Sequence, residues 1–121
     1  MSVLDASALL AYLQGEEGAE TVEHALSEGA VCSAINWSEV AQKVLAHGRD
    51  WSLSRTLLLS HDLEIAPVLV EDAELAASSW RPGQGLSIAD RCCLALGERL
   101  GRDVLTADTA WGTDGRVRQI R

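Results

Sequence analysis

The chain has 121 residues and a formal charge of -8, from 10 basic and 18 acidic side chains, a balance that excludes holding nucleic acid through a broad basic face. Its length is that of one domain able to bury a single core; no stretch approaches the roughly 20 apolar residues that span a bilayer, and no basic region precedes a long apolar one as a secretory leader requires. The three cysteines, Cys32, Cys92 and Cys93, are odd in number and two are adjacent, so no disulfide framework is expected and a cytoplasmic location follows.

Residues 2–4 open the chain as a short strand, and Asp5 stands between it and helix formers over 7–13. A second helical spacing covers 19–26 and a second strand 30–32. Ser33 fits the N-cap of a helix over 34–47. A further helix over 52–59 leads to a strand at 63–65, and 71–79 again has helical spacing. The stretch "RPGQG" at 81–85 is a loop, because Pro82 and two glycines break any helix. Ser87, with Asp90 three residues on, fits a capping box for the strongest helix, 87–100, whose apolar stripe is Ala89, Cys92, Cys93, Leu96 and Leu100. Strands at 104–106 and 117–120 follow. Short β-branched strands alternating with helices predict an α/β fold, a central parallel sheet flanked by helices on both faces, in one domain over 1–121. The segment "GRVRQIR", 115–121, reads either as a strand that buries Val117 and Ile120 or as an arginine tail for phosphates or an acidic partner.

In open α/β sheets, ligands sit outside the carboxyl ends of the strands, near the point where strand order reverses. Asp5, after the first strand, and Asp108, after 104–106, both have that address, and each equally fits the N-cap of the next segment. At 100° per residue Asp90 falls between Leu94 and Gly97, away from an Arg91, Glu98 and Arg99 surface. Bordered by apolar side chains, it needs a partner or a metal, unless it serves only as the cap with Ser87. Glu39 is the weakest of the four by periodicity. It projects opposite Trp37, Val40, Ala41 and Val44, and it precedes Lys43 by four residues, the order that favours a surface ion pair. Four converging acids would repel one another, so at least one should carry a raised pKa and a bound divalent cation such as magnesium would recover the cost. No other catalytic set competes. There is no Walker loop, Gly-x-Ser-x-Gly or HExxH; His24, His47 and His61 are scattered with surface spacing; Cys92 and Cys93 read as core.

The segments "VLDASALLAYL" (3–13), "SAINWSEV" (33–40), "LSIADRCCLALG" (86–97) and "VLTADTAW" (104–111) together resemble the PIN domain, most closely the VapC-like toxins of toxin–antitoxin pairs. The resemblance runs over nearly the whole chain, in order. It implies a PIN fold, Mg2+- or Mn2+-dependent endoribonuclease activity on an RNA substrate, inhibition by a small cognate antitoxin, and homodimerisation. Carried over residue by residue, it makes Asp5, Glu39, Asp90 and Asp108 the catalytic acids, with Asp5, Asp90 and Asp108 as metal ligands. This reverses the surface reading of Glu39. Ser7 and Thr106 match small hydroxyl residues that lie beside the metal and orient its carboxylates. Asn36 and Arg91 match the local pattern and are candidates for contact with RNA or a partner. Asp114 could add a ligand but aligns with no family position and reads as a turn residue. Because the chain is acidic, RNA would be held by a small positive area drawn from Arg49, Arg55, Arg81 or Arg91. Two other readings stand beside this one. One is a PIN-fold binding module without catalysis. The other, a phospho-receiver, needs an acid pair after the first strand, an Asp after the third and a Lys after the fifth; here Asp5 stands alone, 63–65 leads to Pro67, and Lys43, the only lysine, lies in a helix.

Overall fold

Residues 1–121 are all described by a computed structural model. In chain order the elements are β1 (Ser2–Leu4), α1 (Ala6–Gln14), α2 (Ala19–Glu28), β2 (Ala30–Ser33), α3 (Ala34–Ala46), α4 (Trp51–Leu59), β3 (Leu63–Ala66), α5 (Val70–Ser78), α6 (Ile88–Leu100), β4 (Val104–Thr106), a 3-10 turn (Thr109–Trp111) and β5 (Val117–Gln119). The expected strands and helices are present, and they differ from expectation only at their ends. The 3-10 turn was not anticipated. A single turn leaves no helical period to read.

All five strands are parallel, in the order β3-β2-β1-β4-β5. The chain moves outward from β1 to β3, then crosses back over β1 to add β4 and β5. Strand order therefore reverses between β1 and β4, and the carboxyl ends of these two strands open the crevice where α/β sheets bind ligands.

Side chains alternate along each strand between two cores. On one face Leu4, Ala30, Cys32, Leu63 and Leu105 pack with Leu9 of α1, Val22 and Leu26 of α2, Val40 and Val44 of α3 and Leu58 of α4. On the other, Val3, Val31, Val104 and Val117 pack with Cys93 and Leu96 of α6 and with Trp111. The helices thus cover both faces. Burying each such Leu or Val contributes roughly 1.5–3 kcal/mol. The cysteines are free and buried. No helix is long and apolar enough to cross a membrane.

Two local expectations need correction. Ser33 occupies the N-cap of α3, but its side chain makes no capping hydrogen bond. The face of α6 carrying Arg91, Glu98 and Arg99 is surface at Glu98 and Arg99 and half-buried at Arg91, because α5 lies against part of it. Arg91 donates to Ala76 O at 2.6 Å, and Arg99 forms a two-pronged pair with the buried Asp72 of α5, Nε to Oδ1 at 2.8 Å and Nη2 to Oδ2 at 3.1 Å. The segment "GRVRQIR" is the strand reading, with Val117 and Ile120 buried. Its arginines turn to the chain's own acids, Arg116 to Glu98 at 3.4 Å and Arg118 to Asp103 at 3.7 Å.

Helix α6 presses on β4 at Gly97. A Cβ there would stand 2.5 Å from Val104 Cγ2 and 3.3 Å from Arg102 O. Gly97→Ala should therefore cost about 1–3 kcal/mol through overpacking, despite the better helix propensity of Ala. A denaturant midpoint equal to or above that of the unmodified chain would contradict this close approach.

Candidate active site

Asp5 directly follows β1 and caps α1, where its Oδ1 accepts from Ala8 N at 2.8 Å. Its other partners come from both sides of the crevice. Thr106 Oγ1, at the end of β4, donates to Oδ2 at 2.6 Å, and Ser7 Oγ lies 2.8 and 2.9 Å from the two oxygens. These hydroxyls are themselves held by backbone, Ala107 N donating to Ser7 Oγ at 2.8 Å and Asp108 N to Thr106 Oγ1 at 3.0 Å. With both hydroxyl hydrogens committed to Asp5, each amide strengthens the donor in front of it. Two such relays fix the carboxylate and tie the end of β4 to the end of β1. Asp5 is 3% exposed. Burial raises its pKa from the ordinary carboxylate value to about 6, against the hydrogen bonds from Thr106, Ala8 and Ser7 that lower it, and the Asp90 charge adds a smaller upward push. The expectation of one raised acid holds, but desolvation rather than mutual repulsion is the main cause.

Each of the other three acids is anchored through one oxygen. Asp90 Oδ2 accepts from Ser87 N at 2.9 Å, and Ser87 Oγ accepts from Asp90 N at 3.0 Å, so the capping box forms. Asp108 Oδ1 accepts from Ala110 N at 2.9 Å and caps the 3-10 turn. Glu39 Oε1 accepts from Asn36 Nδ2 at 2.9 Å. Asp90 Oδ1, Asp108 Oδ2 and Glu39 Oε2 have no protein donor. The capping readings and the site readings are therefore compatible, since one oxygen of each acid builds the fold and the other is left over.

Asp5, Glu39, Asp90 and Asp108 line one cavity of about 230 Å3, together with Ser7, Ala6, Leu10 and Lys43. The structure thus brings the four acids to one cavity from the β1–α1 junction, α3, α6 and the segment after β4. Glu39 is half-buried in this wall, not a solvated surface residue. Lys43, one turn further along the same face of α3, lines the cavity too and forms no salt bridge, with Glu39 or any other acid. Sequence reasoning missed Lys43 as a site residue. The signal was the i, i+4 spacing itself, which sends both side chains wherever one of them goes.

The remaining candidates lie elsewhere. Asn36 is 1% exposed, so it does not meet RNA or a partner directly; it positions Glu39 and reaches Ala89 O of α6 at 3.4 Å. Arg91 lines a separate groove between α5 and α6, away from the acids. Asp114 sits in the turn before β5 and borders another cavity, with Trp111 and Arg116. Arg49, Arg55 and Arg81 do not reach the acid cavity, whose one cation is Lys43.

Four carboxylates around a small cavity form the hard oxygen donor set that suits Mg2+ or Mn2+. As the side chains stand, no three acid, His or Cys groups are close enough to enclose an ion. Asp90, Asp108 and Glu39 each keep one carboxylate oxygen without a protein donor.

Residues 2–112 match the PIN domain family. No curated protein matches the chain closely enough to count as a relative. Among solved structures, the fold is similar to a toxin–antitoxin complex from Klebsiella pneumoniae, with TM-score 0.82 and 19% identity over 100% of this chain and 98% of that one. It is similar to VapC20 of Mycobacterium tuberculosis, a sarcin-ricin loop cleaving toxin, with TM-score 0.74 and 14% identity over 97% of each chain. It is also similar to FitAcB of Neisseria gonorrhoeae, with TM-score 0.69 and 22% identity over 99% and 98%.

Proposed function

The chain belongs to the PIN domain family, and on that premise we propose that it is an endoribonuclease, the toxin half of a toxin–antitoxin pair. The observation that carries this reading is the convergence of Asp5, Glu39, Asp90 and Asp108 on one cavity at the point where strand order reverses. The similarity to structures described as toxins and toxin–antitoxin complexes supports the biological class and points to a small antitoxin as partner. A homodimer accords with the same resemblance, as does a cytoplasmic location.

Asp5, Asp90 and Asp108 would hold Mg2+ or Mn2+. When bound, such an ion supplies positive charge at a phosphodiester oxygen and lowers the pKa of water. The protein's own part is positioning. Ser7 and Thr106 hold the Asp5 carboxylate rigid, so it needs no reorganisation as charge moves. Glu39, steadied by Asn36, keeps one oxygen free to take a proton from the attacking water. Ala6 and Leu10 form the apolar wall, which limits water around the acids and strengthens every charge interaction there.

Pooled RNA should be hydrolysed in millimolar Mg2+ or Mn2+, and excess EDTA should stop the reaction. Undiminished cleavage in EDTA would sink the metal-dependent reading. A soluble chain that binds RNA but never cuts it in either metal would favour the non-catalytic binding module.

A further inference from the structure

A second cavity, of about 290 Å3, adjoins the acid cavity and has the opposite electrostatic character. The two share Ser7, Leu10 and Lys43 as a common wall. Where the first is lined by four acids and one cation, the second is lined by two cationic side chains, Lys43 and Arg121, with His47 and a single acidic side chain, Glu16. The elements explain the sorting. Lys43, in the last turn of α3, and His47, just beyond it, are one turn apart, and His47 Nδ1 donates to Lys43 O at 2.7 Å. Arg121 approaches from beyond β5, steadied by Glu17 O at 3.2 Å and facing Glu16 at 4.0 Å. That uses one of its donors and leaves most of the guanidinium fork available.

The unpaired state of Lys43 adds weight. It is the only lysine in the chain, and it stands on the boundary of a four-acid cavity without closing a salt bridge to any of the four. Its side chain is exposed, so the ammonium is open to a ligand that brings negative charge. RNA presents phosphates at regular intervals, so a strand with one phosphate at the acids must lay a neighbouring phosphate nearby. A chain of charge -8 also has to attract that strand locally, because it has no broad basic face.

We infer that the Lys43–His47–Arg121 cavity is the subsite for the phosphate next to the one that is cut, with Lys43 and Arg121 as its cationic contacts. This deepens the nuclease reading and rests on it for the identity of the ligand. The test, however, is separate from hydrolysis. The probe is short fluorescent single-stranded RNA of random sequence, titrated with the full chain in EDTA over a range of salt concentrations.

Lys43→Gln and Arg121→Gln should each weaken binding about tenfold at low salt, the scale of one charge-assisted phosphate contact. Each should also flatten the plot of log affinity against log salt by about 0.7, the share of one phosphate on a single strand. Lys43→Arg should keep the slope of the unmodified chain. Arg102→Gln, exposed beyond α6 and lining neither cavity, should change neither quantity. Unchanged affinity and slope in both Gln variants would overturn the inference. So would variants that lose affinity for an acidic peptide while keeping it for RNA, because the cavity would then serve a protein partner. Binding with these slopes by a chain that never cuts RNA would remove the nuclease reading and leave the subsite standing. Cutting by variants with unaltered slopes would do the reverse.

Discussion

Asp5→Asn is expected to lower RNA hydrolysis by about 10²–10⁴-fold and, in the same molecule, to raise the stability of the metal-free fold at neutral pH. The two effects share one cause. The carboxylate that the chemistry needs is 3% exposed, and burial lifts its pKa to about 6. Ionising it in the folded state at pH 7 and above costs about 2–3 kcal/mol, given the distance from the ordinary value. Asn keeps an acceptor for Ala8 N without the charge, so a net gain of about 1–2 kcal/mol is expected, the lost charge-assisted bonds from Thr106 and Ser7 taking the rest. An acid whose folded pKa is raised binds its proton more tightly folded than unfolded. The unmodified chain should therefore lose stability as pH climbs from about 4 to about 6, and the advantage of the Asn variant should grow over the same window and then level off. Added Mg2+ should raise the melting temperature of the unmodified chain and leave the variant nearly unmoved, because only a ligand bound to the native state stabilises it. Expression of the unmodified chain without an antitoxin should slow growth, and expression of Asp5→Asn should not. A variant that still cuts RNA at the original rate, or one that melts lower at pH 7.5 and shows no pH-dependent difference, would contradict this account.

Asp72→Ala should destabilise the fold more than Gly97→Ala does, by about 2–4 kcal/mol. Asp72 is 3% exposed, and it accepts both prongs of Arg99 as well as Leu69 N at 3.1 Å. Its loss leaves that amide unpaired and loosens α5 from α6, the helix that carries Asp90. The Arg99 side chain is 30% exposed and can turn partly to water, which keeps the cost below that of a fully buried pair. For a chain of this size the melting temperature should fall by about 10 °C. The pH dependence has the opposite sign from that of Asp5. Burial alone would raise the Asp72 pKa, but the hydrogen bonds from Arg99 and Leu69 and the Arg99 charge outweigh it and hold the carboxyl below its ordinary value. Its stabilisation is present above about pH 4 and is lost as pH falls further. A melting point within a degree or two of the unmodified chain at pH 7 would show that α5 is held by its apolar contacts alone.

Much of the architecture could be read from local pattern because the strands are β-branched runs bounded by polar caps, and the helices keep a single apolar stripe. What escaped depended on which element lies opposite which. Periodicity turned Glu39 away from Val40 and Val44 correctly, yet it could not show that a cavity rather than solvent lies on that side. The clue was Asn36, three residues earlier on the same face and 1% exposed, since a buried amide there has to serve a neighbour. That Arg91 and Arg99 also hold α5 was not legible, because the groups that receive them, Ala76 O and Asp72, lie on another helix, 15 and 27 residues away in the chain. The raised acid is Asp5, through burial more than through like charges, and burial is set by the whole fold and leaves no mark on spacing.

The hydrogen bond from Thr106 to Asp5 joins residues 101 positions apart, and on the nuclease reading this distance sets when the protein can become harmful. A ribosome making the chain at about 5–20 residues per second releases Asp5 early, but the first strand must wait, without its hydroxyl partner and with its carboxylate open to water, for β4 to emerge. Closing so long a loop is slow relative to forming α1 or the α2–β2 segment. An unfinished product ending before β4 would carry Asp5, Glu39 and Asp90 yet lack Thr106, Asp108 and the strand that brings them into place. On that reading, nuclease activity is expected only from a chain completed through β4 and Asp108, the part that brings Thr106 to Asp5.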